Sequence, residues 1–268
     1  MPKRTQDESK RRWATCQEAL LRDDVAAVSR LLTRFPDLID RRMGTTGRGR
    51  LHHLRITGGT MLHFACMYGM REITRLLIDH GCSLNLKDRL GVTPLNCAVM
   101  SRSLDIAKDL LAAGARCDIH SASGLGLLDT VKGLVEEDPS CVNSAGPLDE
   151  PPLTWAARSG KGEVARFLRR KGARCDLWTC AMLGWTRQVK ESLHRNPDLL
   201  NAVSPDRYAP QTPLQCAVSQ RQRGLAVELL RMGADTDIRV CGVAPSAEDA
   251  KWLSGVMKEL QGFQAGSV

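Results

Sequence analysis

The sequence has no apolar run near the ~18 residues that a membrane-crossing helix needs, and its start, MPKRTQDESKRR, lacks the apolar stretch of a secretory leader. Neither insertion nor export is expected, so the chain is read as cytoplasmic. Aromatic residues are scarce, at 4%. That excludes a core of stacked rings and favours helices packed through Leu, Ala and Val. The ten cysteines include no C-x-x-C pair, so zinc and disulfide frameworks give way to buried, reduced thiols. Nucleotide loops are incomplete: GRGRLH and GLGLLD lack a third glycine, and SGKGEV has no Ser or Thr after Lys161. There is no G-x-S-x-G elbow. His52 and His53 have no third ligand at metal spacing in their loop. No catalytic residue, cofactor or metal is expected, and the chain is read as not an enzyme.

Repetition is what the sequence does have. TPLN opens a short helix at Thr93, Leu104, Ile106, Leu110 and Leu111 supply a second apolar face, and Gly114 stops it. Thr60, Met61, Leu62 and His63 open a matching stretch 33 residues earlier. Pro151 and Thr212 open two more, and all four are followed 21 residues on by a glycine, at Gly81, Gly114, Gly172 and Gly233. Between them lie shorter units around Leu125 and Gly126 and around Leu183 and Gly184. These end in DPSCVN and NPDLLN, as the first unit ends in FPDLID. Proline cannot continue the helix, and the apolar residues after it fold back on the helix end. GARCDI and GARCDL lie 58 residues apart and put a short unit directly behind a full one, so the pair is the period.

The spacing and the T-P-L-H-like openings resemble the ankyrin repeat. The resemblance covers residues 13 to 239 and implies an all-α fold: an ankyrin-repeat solenoid of stacked helix-turn-helix pairs with hairpin loops. Residues 1–12 then form a flexible basic tail, 13–240 a domain of about seven repeats, and 241–268 a capping helix and tail. The repeats fall at 13–40, 60–86, 93–119, 120–143, 151–177, 178–202 and 212–238. Cys97, Cys117, Cys175 and Cys216 stand where the family has small apolar residues. His63 stands at the family's histidine position, which ties neighbouring turns together by hydrogen bonds. Met61 in place of proline, Pro151 in place of threonine, and the turns GCSLN, GARCD and GADTD depart from the pattern.

The resemblance also implies a binding scaffold whose hairpin tips and inner-helix flanks meet a partner. Those positions here are Arg89 and Leu90, with Val92, on one hairpin and Tyr208, with Gln211, on another. From the inner helices come Met67, Tyr68, Met100, Ser101, Arg158 and Met182, whereas Phe64 and Trp155 sit where packing competes with contact.

Charge points to a further feature. The net charge is +8, and most of the excess lies in residues 1–60, which hold thirteen Lys/Arg against seven Asp/Glu. Asp40 to Thr60 spans twenty residues where Asn85 to Thr93 spans eight. The inserted segment, within 41–59, carries Arg41, Arg42, Arg48, Arg50, His52, His53 and Arg55 and no acidic residue. Its alternation allows an extended hairpin with Gly47 to Gly49 at the tip. This basic finger has three readings: a solvated loop, a contact for an acidic protein surface, or a contact for phosphate or nucleic acid. The expectation is a monomeric adaptor or scaffold that binds an acidic protein, with nucleic-acid association through tail and finger as the alternative and no membrane partner.

Overall fold

Each short, apolar helix is followed within two or three residues by a second, amphipathic one, and that reversal requires a left-handed residue. The structure, a computed structural model, describes residues 12, 14–42, 58–205, 210–236 and 246–265, with side chains as far as Lys258. Among them every regular element is helical. The left-handed position is Gly69, Gly126, Gly160 or Gly184 in four turns and Asp23, Arg102 or Arg221 in three. Glycine adopts it without strain, whereas an L-residue there loses about 1 kcal/mol.

The helices group into two bodies, residues up to 125 with 145–150, and residues 126–144 with those from 151 on. In the first body, α1 (14–21) pairs with α2 (Val25–Arg34), α3 (Met61–Tyr68) with α4 (Arg71–Asp79), and α5 (Pro94–Met100) with α6 (Leu104–Ala112). The inner helix α7 (Ile119–Leu125) completes it. Helix α3 packs on α5 and α5 on α7, while α2, α4 and α6 form the outer layer. The inner helices are nearly wholly buried; α5 exposes only part of Met100. An outer helix buries one stripe, as α4 does with Ile73, Thr74 and Leu77.

The second body holds α8 (Leu128–Glu137), α9 (Pro152–Arg158), α10 (Gly162–Arg170), α11 (Leu177–Met182), α12 (Thr186–Arg195), α13 (Pro213–Ser219), α14 (Arg223–Arg231) and α15 (Ala247–Ala265). Helices α9, α11 and α13 stack as the inner row, and α15 lies on α13 and α14. Ser246 caps α15 by accepting from the Asp249 N–H at 3.1 Å, and Val256 is buried on the inward side. Arg221, in its left-handed turn, pairs with Glu248 at 3.0 Å and Asp249 at 2.8 Å and lies over the Trp252 ring. These contacts offset its backbone strain.

The proline closures form 3-10 turns at Pro36–Leu38, Pro139–Asn143 and Pro197–Leu200. The polar residue that ends or follows each reaches the next unit's glycine turn. Asp40 accepts from the Ser83 N–H at 2.9 Å, Asn143 from the Arg174 N–H at 2.8 Å and Asn201 from the Asp235 N–H at 2.9 Å. Asn85 does the same for Arg116 from a full unit at 2.8 Å. A short unit follows a full one directly because the Asp of GARCD is itself the next helix cap. Asp118 accepts from the Ser121 N–H at 2.7 Å and Asp176 from the Thr179 N–H at 2.6 Å.

One cysteine pair departs from the expectation of separate reduced thiols. The sulfurs of Cys175 and Cys180 are in bonding contact, with Cα atoms 6.0 Å apart, because the turn at Cys175 folds back over the first turn of α11. The tail 1–11, Trp13 and residues 237–245 lie outside the described residues.

Candidate functional site

In the first body, the C-terminal ends of α3 and α5 bring several of the expected contact residues together. Met67 and Met100 occupy the same position, two residues before the left-handed turn, and both are half-buried against the core. Tyr68 is 42% exposed, and its ring stacks on Phe64 with centroids 6.4 Å apart. Phe64 is 6% exposed, so it supports Tyr68 from below and presents little surface of its own. Ser101 donates to the Cys66 carbonyl at 2.9 Å, locking the end of α5 to α3. An exposed aromatic held by rigid packing loses little entropy when it meets a partner.

The neighbouring hairpin is equally well held. The Asp88 N–H donates to the Val92 carbonyl at 2.9 Å, and the Asp88 carboxylate accepts from the Leu90 and Val92 N–H groups at 2.8 and 2.9 Å. Arg89 is exposed at the tip, Leu90 is half-buried, and Val92 is fully buried. The Arg42 guanidinium donates to the Gly58 carbonyl at 3.0 Å and the Lys87 carbonyl at 2.8 Å, and Gly58 lies beneath the Arg89 side chain. Both roots of the basic segment are thereby tied to the hairpin. Arg41, at the first root, is half-buried. Arg48, Arg50, His52, His53 and Arg55 lie outside the described residues, and so does the expected hairpin around Gly47 to Gly49.

His63 joins the hairpin to the helix beneath it. The Thr60 N–H donates to Nδ1 at 3.0 Å, so Nε2 carries the hydrogen and donates to the Val92 carbonyl at 3.1 Å. This is the role implied by the resemblance. Asn96 repeats it by donating to the Ser121 hydroxyl at 2.7 Å, and Thr154 and Thr179 share a hydrogen bond at 3.1 Å. Burial holds the His63 pKa below its ordinary 6.5, and the nearby Asp88 charge only partly opposes it. Because the folded pKa is depressed, the unfolded chain takes up the proton first. Stability from this site is complete above about pH 6.5 and is lost as the pH falls towards the folded value, at up to about 1.4 kcal/mol per pH unit. His63→Gln should flatten urea midpoints measured from pH 7.5 to 5. An unchanged slope would place the titration elsewhere.

In the second body, Arg158 is half-buried at the end of α9, and Gln220 donates to its carbonyl at 3.1 Å. Met182 is 8% exposed and belongs to the core of that body, and Trp155 is 3% exposed. Trp178 is half-buried and donates from its indole to the Ala202 carbonyl at 3.2 Å. Gln211 is half-buried, and Tyr208 lies outside the described residues.

Five of the described cysteines are poorly placed for thiolate chemistry. Burial pushes the Cys16 and Cys117 thiols up to about 11 and Cys82 to about 12, and it raises Cys66 and Cys97 further. No group of three metal-ligating side chains occurs among the described residues. No helix among them is long and apolar enough to cross a membrane.

Sequence reading overlooked the outer layer, where a charged device recurs. In the first body, Asp109 of α6 accepts from Arg71 at 2.8 Å and Arg75 at 3.0 Å on α4, and these hydrogen bonds hold its carboxyl well below the usual carboxylate range. In the second body, Lys190 of α12 pairs with Glu228 of α14. In both, a cation six residues past the left-handed turn meets a carboxylate seven past the next one. The signal was available as that spacing, but it emerges only once the turns are aligned.

A family profile described as ankyrin repeats matches residues 18–121, in three copies. Human "Ankyrin repeat and SOCS box protein 16" is 29% identical over 268 aligned residues, covering 77% of this chain and 55% of that protein. "Neurogenic locus notch homolog protein 1" of Danio rerio is 30% identical over 133 residues, covering 45% of this chain and 5% of that protein. The chain thus spans from a twentieth to about half of these curated relatives. A solved human ASB11 ankyrin repeat domain aligns over 90% of this chain and 96% of its own, at 19% identity and a TM-score of 0.39.

Proposed function

This chain is an ankyrin-repeat protein, and from that premise we propose that it is a non-catalytic scaffold or adaptor that holds another protein against the inner-helix ends and the basic segment of its first body. The supporting observation is the exposed Tyr68 on its Phe64 base, flanked by Met67 and Met100 and by a hairpin to which Arg42 ties both roots of the basic segment. Arg89 and Leu90 lie on that hairpin. Arg41, Arg48, Arg50, His52, His53 and Arg55 give the segment its charge, and a partner with an acidic surface is the complement. On the second body, taken by itself, Arg158 and Tyr208 are the remaining expected contacts, whereas Met182 is core. The chain acts as a cytoplasmic monomer, by scaffolding or by occupying its partner.

The test uses the full chain and a variant carrying Arg48→Glu, Arg50→Glu and Arg55→Glu. Arg42 stays, because its guanidinium holds the segment's roots. Pull-downs from nuclease-treated lysate at moderate salt should capture a discrete protein with the native chain alone. Capture that requires intact nucleic acid would replace this reading by phosphate binding, with an affinity that falls steeply with salt.

A further inference from the structure

The outer layer of the second body contains an interrupted version of the charged device. By the spacing that pairs Arg75 with Asp109 and Lys190 with Glu228, Arg166 of α10 is due to meet Glu191 of α12. Glu191 instead accepts from Arg187 of its own helix at 2.9 Å. Arg166 and Arg170, one helical turn apart on the exposed face of α10, have no hydrogen bond or ion pair among the described residues, and neither does Arg195 at the end of α12. We propose that this outer face of α10 and α12 is a second interaction surface, distinct from the inner-helix ends, that takes an acidic helical segment of another protein.

Three observations commit the occupant. First, arginine presents a planar fork that suits carboxylates in a two-point grip, so exposed unpaired arginines are a better fit to that group than lysines are. Second, the first body displays the complement already formed. Arg71 and Arg75, four residues apart, are met by Asp105 and Asp109, also four apart on a helix, with Arg71 reaching both. Arg166 and Arg170 repeat the cationic half of that spacing. Third, α8 packs beside α10 and carries Glu136 and Glu137 exposed, without an ion pair among the described residues. A broad polyanion such as a nucleic-acid duplex or an anionic bilayer would be pressed against those carboxylates. A single helix about 10 Å wide can follow the Arg166 and Arg170 row of α10 without covering α8.

The experiment titrates the full chain with a labelled synthetic helix carrying glutamates four residues apart. Parallel titrations use a peptide of the same composition with its glutamates clustered, a DNA duplex, and vesicles containing phosphatidylserine. The spaced helix should bind at least tenfold more tightly than the clustered peptide. The triple variant Arg166→Glu, Arg170→Glu, Arg195→Glu should lose that binding by tenfold or more. These side chains are exposed and make no ion pair, so the variant should keep its helical circular dichroism. A lysine-bearing version of the peptide should recover affinity for it. Equal affinity for the two peptides, unchanged binding by the variant, or preference for duplex or vesicles would each overturn the proposal. Arg48→Glu, Arg50→Glu, Arg55→Glu should leave this binding unaltered; loss there would place the peptide on the basic segment instead.

Discussion

Leu110→Ala is expected to lower the unfolding free energy by about 2–5 kcal/mol. Leu110 is fully buried in α6, in the same cluster as Leu77 of α4, Ile106 and Ala107. Removal of the isopropyl group beyond Cβ leaves a hole between helices whose backbones are fixed by capped inner helices and by the Asn85 to Arg116 hydrogen bond, so the walls collapse only partly. In a stacked architecture the affected face is one that each repeat shares with its neighbour, so the loss falls on the interface as well as on the helix. Urea unfolding followed by circular dichroism measures it. Leu110→Met, which keeps the volume, should lose less than about 1.5 kcal/mol. A loss below 1 kcal/mol for the alanine variant, on the order of a surface substitution, would show that α6 is not packed as described.

Two glycines should respond to alanine with opposite signs. A methyl group at Gly146 would lie 2.2 Å from Nε2 of His120, a ring only 6% exposed. Either the buried imidazole or the loop must move, and the variant should lose about 1–3 kcal/mol. The loop has little freedom to yield: Gly146 is joined to the Glu150 carbonyl at 3.1 Å, and Leu148 and Asp149 already adopt left-handed backbone at φ 65° and 58°. Gly133, inside α8, has nothing within 4 Å of the added carbon and no left-handed backbone, so Gly133→Ala should gain about 0.5–1 kcal/mol from helix propensity. Thermal melts of both variants decide the matter. A neutral Gly146→Ala would mean that His120 is not seated against the loop.

The residues that announced the fold are those whose chemistry acts locally. Thr93 and Thr212 accept from Asn96 and Gln215 as helix caps, and the proline closures end their helices as 3-10 turns. His63 was legible as a hydrogen-bonding residue because it stands at the histidine position of the family that the openings resemble. At the candidate site the outcome was uneven. Tyr68 is exposed, whereas Met182 and Trp155 are core, although all three lie on inner helices. Their exposure depends on what the neighbouring helix places above them, which a single repeat does not encode. Arg42 was read as part of a charged finger, but its guanidinium serves two backbone carbonyls, one of them 45 residues away.

By itself the sequence determined the helix pairs, their order and their ends, because turn residues, caps and apolar spacing act over four or five positions along the chain. Only the tertiary structure decided which charges are satisfied. Asp109 takes two arginines from α4, whereas Glu191 is taken by its own helix and leaves Arg166 open. It also decided that the Cys175 turn meets Cys180 and that Gly146 must remain without a side chain above His120. The physical reason is common to these cases. Each depends on the distance between side chains on separate backbone segments, and that distance exists only after the helices have buried their apolar faces against one another.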